Sequence, residues 1–141
     1  MDLKIGKFVK DQLSVWPLAA ANFRSLKNIE QKELAIGGLA VLAQYNPGRL
    51  ASSNARTDEK TLRSRKCSLC ATNRPPEQAF IPFEGRKGRK YDIFLNPYPI
   101  FPFHLVIASR RHTFQSIWHR YVDMLDLSRQ YPDFPFFYNG P

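Results

Sequence analysis

Apolar residues recur at helical spacing from Leu13 through Trp16, Ala20 and Phe23 to Leu26, but Pro17 interrupts the run. The pattern predicts two short helices rather than one, with the apolar stripe turned to a core. Leu39, Val41, Ala43 and Tyr45 then alternate after a Gly-Gly pair that disfavours helix, giving a strand that ends at the turn Asn46-Pro47-Gly48. Residues 49–66 are polar and carry six basic groups. Within them "TDEKTLRSR" places acids early and bases late, which suits a short exposed helix capped by Thr57. "AFIPF", "EGRKGRK" and "YDIFLN" read as strand, turn and strand, a hairpin. Past the prolines of Pro97 to Pro102, "HLVIAS" reads as a buried strand. Thr113 can cap a helix in which Phe114, Ile117, Tyr121 and Leu125 share a face, and "FPFFYNGP" looks like a further strand. The expected fold class is α+β, an antiparallel sheet with the amphipathic helix packed on it.

Composition agrees with a packed globule, since 43% of the 141 residues are hydrophobic and 13% aromatic. Twenty-one Lys and Arg against twelve Asp and Glu leave a formal charge of +9, which favours anionic partners such as a nucleotide or polynucleotide. The longest apolar run, Leu34 to Ala43, holds two glycines and is about half the length of a bilayer span. No membrane partner is expected. Charges scattered through "MDLKIGKFVKDQ" do not fit a secretory signal, so the expected location is cytoplasmic. In that compartment Cys67 and Cys70 form a metal or redox pair more readily than a disulfide.

"CSLC" has the spacing that lets both thiolates reach one tetrahedral zinc from a tight turn. It is half a site, and His104, His112 and His119 are the candidates to extend it. A thioredoxin-type redox pair and ordinary free thiols stay open as alternatives, although a polar, helical approach to Cys67 is not the usual redox setting. His104 begins the "HLVIAS" strand and His112 ends the turn after it, separated by roughly 17 Å of extended chain. They are not expected to bind one ion together. His112, in a loop beside Arg110 and Arg111, is the better placed for accessible chemistry, whereas His104 reads as a hydrogen-bonded core residue and His119 as a surface one. Arg110, Arg111 and a helix N-terminus near Thr113 make a weak anion-site signal. Aromatics interleaved with bases would suit RNA or single-stranded DNA, but most fall on positions that look buried.

"YDIFLNPYPIFPFHLVIASRRHTFQSI" resembles the segment of histidine-triad-like (HIT-like) proteins in which Asn, Pro, His, an apolar strand and a second His precede a helix. With "QYNPGRLASSNARTDEKTLRSRKCSLCATNRPPEQ" upstream, the chain resembles the DUF4922 group. Distant relatives are GDP-L-galactose phosphorylase, galactose-1-phosphate uridylyltransferase and diadenosine tetraphosphate phosphorylase. The likeness divides the chain into N-terminal helices and a strand, residues 1–48, and a partial HIT-like nucleotide-binding domain, residues 49–141. It implies that Asn96 and its neighbours line a nucleotide pocket, to which the anion site read at Arg110 and Arg111 would add nucleotide contacts. It implies zinc on Cys67, Cys70 and His112, and a supporting rather than attacking role for His104. The attacking histidine of such enzymes stands in a His-x-His element, which these 141 residues lack. The resemblance therefore implies the N-terminal part of a nucleotidyltransferase or phosphorylase acting on a nucleotide sugar or dinucleotide, inactive by itself. Such relatives often pair through their sheets, so a homodimer is a further expected partner arrangement. A self-contained basic zinc module that binds RNA or DNA is the alternative.

Overall fold

The computed structural model describes residues 3–50, 54 and 58–138. Helix α1 (Leu3–Val15) and helix α2 (Pro17–Arg24) meet at Trp16. Pro17 occupies the first turn of α2, where its missing N–H has no helical acceptor to lose. The two-helix expectation holds, with the stripe shifted: Ile5, Val9, Gln12, Trp16 and Ala19 are buried, while Leu13, Ala20, Phe23 and Leu26 are half-buried. Gln12 tolerates burial because both ends of its amide are used. Its Nε2 donates to the Glu77 carbonyl at 3.2 Å, and its Oε1 accepts from Ala79 N at 3.0 Å.

The expected strand forms as β2 (Leu39–Tyr45), paired antiparallel with β1 (Glu30–Ile36), which the sequence pattern did not reveal. "EQKELAI" is mostly polar with poor intrinsic β preference; its pairing is imposed by the turn. Gly37 and Gly38 both have positive φ, 57° and 80°, as the tight two-residue hairpin connection requires. The Gly-Gly pair is thus a hairpin tip and not merely a helix stop.

A second, three-stranded antiparallel sheet runs in the order β3 (Phe80–Glu84), β4 (Lys90–Leu95), β5 (Leu105–Ser109). The β3–β4 hairpin is as expected. Central β4 is buried from Tyr91 through Leu95. The reading of "HLVIAS" as a buried strand is corrected: β5 is an edge strand in which Ala108 alone is fully buried and Ile107 is 37% exposed. Its apolar run serves one paired neighbour and an open groove. Ile5, Val9, Trp16 and Ala19 pack with Leu95, flanked by Ile81, Phe103, Leu105, Tyr131 and Phe134, so the N-terminal helices and this sheet share one core.

The short helix α3 (Glu59–Ser64) is capped by Asp58, whose carboxylate accepts from Thr61 N at 3.0 Å; Thr57 lies outside the described residues. The helix expected after Thr113 starts later, as α4 (Tyr121–Gln130). His119 has φ 65°, which no helix accommodates, and Thr113 Oγ1 accepts from Arg120 Nη2 at 2.9 Å instead of capping. Tyr121 and Leu125 are therefore helical and Phe114 and Ile117 are not. Residues 135–138 of the expected last strand join no ladder. Phe137 packs edge-on against Phe101 and Phe134 against Phe103, and ring contacts hold that segment where hydrogen bonds were expected.

Two carboxylates dock helix α4, Asp126 through Arg86 and the buried Asp123 through more bonds. Asp123, 2% exposed, accepts from Arg86 N at 2.8 Å, from Arg89 Nε and Nη2 at 2.6 and 2.9 Å, and from Tyr91 Oη at 2.5 Å. The helix is thereby fixed to the β3–β4 turn.

Candidate metal centre

The Cys-x-x-Cys segment is a closed turn. Cys67 O accepts from Cys70 N at 3.2 Å and from Asn73 Nδ2 at 3.0 Å, and Cys70 O accepts from Asn73 N at 2.9 Å. With its carbonyls held this way, the turn can offer both thiols to one side. His112, past the end of β5, meets them with Nδ1 at 3.0 Å from Cys70 Sγ. The two sulfurs and a ring nitrogen of His112 all lie within 4.8 Å of one another, close enough to hold a metal ion. Ligands around a tetrahedral ion with bonds of about 2.0–2.3 Å stand roughly 3.5–3.8 Å apart, so the donor set fits with little adjustment. The cysteines are half-buried and His112 is exposed, leaving one side open. Burial pushes the Cys70 thiol up, the neighbouring Cys67 raises it further, and Arg74 pulls the other way.

His104 and His119 do not join this cluster. His104 is held between two contacts: Nδ1 accepts from Ile100 N at 3.1 Å, and Nε2 stands 3.3 Å from Asn96 Nδ2. Since Nδ1 accepts, the neutral ring carries its proton on Nε2. Burial, followed by the charge of Arg49, holds the histidine below its ordinary range and so in that neutral form. Asn96 Oδ1 accepts from Tyr98 N at 2.9 Å, which turns its Nδ2 toward the imidazole. Two N–H donors thus sit side by side without bonding each other. His119, in the turn before α4 and not within a helix, is exposed, as a surface residue should be.

Asn96, His104, Cys67, Cys70, His112 and Arg111 line one open groove of about 930 Å3 beside β5. Arg49, from the Asn-Pro-Gly-Arg turn, lines it too, and Asn46 Nδ2 secures that turn by donating to Pro99 O at 3.0 Å. The rings of Phe101 and Phe137 flank His104 with centroids 6.1 and 6.4 Å away.

The two arginines expected to act together are separated. Arg111 faces the groove, but Arg110 donates from Nε and Nη2 to Asp92 Oδ1 at 2.9 and 2.7 Å. Asp92 Oδ2 accepts from Arg74 Nη2 at 2.5 Å. No helix N-terminus completes an anion site near Thr113, because α4 begins eight residues later. Arg49, Arg74 and Asp92 escaped the sequence reading as site residues. Asp92 left a signal, a lone acid inside the apolar strand "YDIFLN", while Arg49 and Arg74 look like ordinary loop cations.

The profile of a family described as a domain of unknown function, DUF4922, matches residues 8–141. No curated protein and no solved structure matches the chain.

Proposed function

The chain belongs to the DUF4922 family, and from that premise we propose that it forms the nucleotide- and zinc-binding part of a nucleotidyltransferase or phosphorylase acting on a nucleotide sugar or dinucleotide. The observation that supports this is the meeting of two kinds of site in one groove: a Cys-Cys-His cluster, and the paired donors of Asn96 and His104. Two thiolates and an imidazole are donors that suit zinc. Cys67, Cys70 and His112 would hold the ion, which would supply charge stabilisation to an adjoining phosphate.

The chain's own residues bind and orient. Asn96 Nδ2 and His104 Nε2 donate to oxygens of the nucleotide, Arg49 and Arg111 meet its phosphates, and Phe101 and Phe137 offer ring faces at the same end. The fixed Nδ1 bond keeps His104 a donor, and therefore a support rather than a nucleophile. Transfer through a nucleotidyl-histidine needs a His-x-His element, and His104, His112 and His119 do not form one, so none of the three is assigned as the nucleophile.

Metal analysis of the purified chain and calorimetric titration with a nucleoside diphosphate sugar test this directly. We expect one zinc per chain, lost in Cys70→Ser, and nucleotide binding that is lost in Asn96→Ala. A chain that takes up no zinc, or binds the nucleotide equally well with Asn96 replaced, overturns the assignment.

A further inference from the structure

The metal ligands come from two arms, and both arms are anchored to the same carboxylate. Arg74 follows Cys70 by four residues, and Arg110 precedes His112 by two. Asp92, on central strand β4 and 1% exposed, binds Arg74 through Oδ2 and Arg110 through Oδ1. The Arg74 side chain is 5% exposed, and its guanidinium lies 5.2 Å from the Phe80 ring and 4.8 Å from that of Phe94. The Arg110 guanidinium lies 5.5 Å from the same Phe80 ring. Two cations therefore share one ring with a single anion between them.

Resting on the zinc assignment above, we propose that Asp92 is the positioning residue of the metal centre: one buried carboxylate that sets the distance between the Cys67–Cys70 turn and His112. Without its charge, Arg74, 5% exposed, is left without an anion beside a second cation, and Arg110, 42% exposed, has no partner on β4 and can turn to water. Both arms lose the tie that sets their separation. The Asn73 bond to Cys67 O, one residue before Arg74, passes that change to the turn. Asp92 acts on the ligands through Arg74 and Arg110, which it holds. Arg110 acquires a different part from the nucleotide contact its sequence suggested.

The test is zinc affinity by chelator competition, together with the visible spectrum of the cobalt-loaded chain, which reports thiolate ligation. Asp92→Asn is expected to weaken zinc up to about 10-fold, the lower end of the effect of groups that bond a ligand directly, and to reduce the thiolate–cobalt band. Asp123→Asn removes another buried, arginine-bound carboxylate that is bonded to neither arm; it should lower the melting temperature and leave zinc affinity in place. Arg110→Met frees only the His112 arm and keeps Arg74 bound to Asp92, so it carries the test if Asp92→Asn does not fold, and it too should weaken zinc. Wild-type affinity and spectrum in Asp92→Asn or Arg110→Met, or an equal loss in Asp123→Asn, would overturn the positioning role. Those results leave the zinc assignment standing, whereas a wild-type chain that binds neither metal overturns both.

Discussion

Asp123 shows how much of this fold depends on one side chain. Burial opposes its charge, but hydrogen bonds from Arg89, Tyr91 and Arg86 N more than offset that and hold the carboxyl down to about 2. Its folded value lies below the unfolded one, so its stabilisation is complete above the ordinary aspartate range and disappears as pH falls toward 2. Asp123→Asn should cost about 2–3 kcal/mol at neutral pH, at the lower end for a broken buried pair because Arg89 is 26% exposed and can turn to water. In urea melts the gap between wild type and variant should close as pH drops from about 5 to about 2; a constant gap would mean that the carboxylate charge is irrelevant. Gly85 gives an independent probe, since a Cβ there would stand 2.6 Å from Asp123 Cγ. Gly85→Ala should destabilise by about 1–3 kcal/mol through overpacking, with the same acid-sensitive component. At this scale the sequence was legible where chemistry is local. Cys67 and Cys70 announce each other by spacing, whereas Asp123 binds a partner 37 residues away with nothing nearby in the chain to mark it, and Asp92, conspicuous only as an acid in an apolar strand, binds one 18 residues away that its neighbours do not reveal.

Elements were legible when their apolar pattern and their boundaries agreed. The Pro17 break and the β3–β4 hairpin satisfy both conditions. Helix α4 failed at its start because apolar spacing continues back to Phe114 while the backbone at His119 does not. Strand β1 failed because its residues prefer other states and only the turn recruits them. That makes the β1–β2 hairpin a test of turn control. All its residues except Leu34 are exposed, and no contact beyond the hairpin holds a side chain of it in the core cluster. An isolated two-stranded hairpin is marginal in water, so its stability resides largely in Gly37 and Gly38. Replacing Gly38, at φ 80°, by Val should cost about 1–2 kcal/mol locally. Hydrogen exchange should then speed up at amides of residues 30–45 while those of β4 stay protected and the global melt barely moves. Simultaneous loss of protection in β4 would show that the hairpin is integral to the core.

For the molecule as a whole, the charge of +9 poses the remaining choice between a single nucleotide and a polynucleotide. Part of that charge is internally committed: Arg74 and Arg110 to Asp92, Arg89 to Asp123, Arg86 to Asp126. Among the described residues, no helix is long and apolar enough to cross a membrane. The cations that line the groove, Arg49 and Arg111 among them, stand beside the Cys67–Cys70–His112 cluster and the Asn96–His104 pair, an arrangement that under the proposed reading suits one diphosphate more than a running backbone. Salt distinguishes the two. Each phosphate neutralised on a polynucleotide releases counterions, so affinity falls steeply with ionic strength, by about 10³–10⁵ between 50 and 200 mM for six to ten contacts. A diphosphate carries no condensed counterion atmosphere, and its binding should weaken far less over the same range because donors fixed in a groove are screened less than surface charges are. Fluorescence titrations of a nucleoside diphosphate sugar and of a single-stranded oligonucleotide across that range should therefore cross, the oligonucleotide weaker at physiological salt and the nucleotide nearly unchanged. Tight, steeply salt-dependent oligonucleotide binding that survives Asn96→Ala would place the functional surface on the exposed cations and not in the groove.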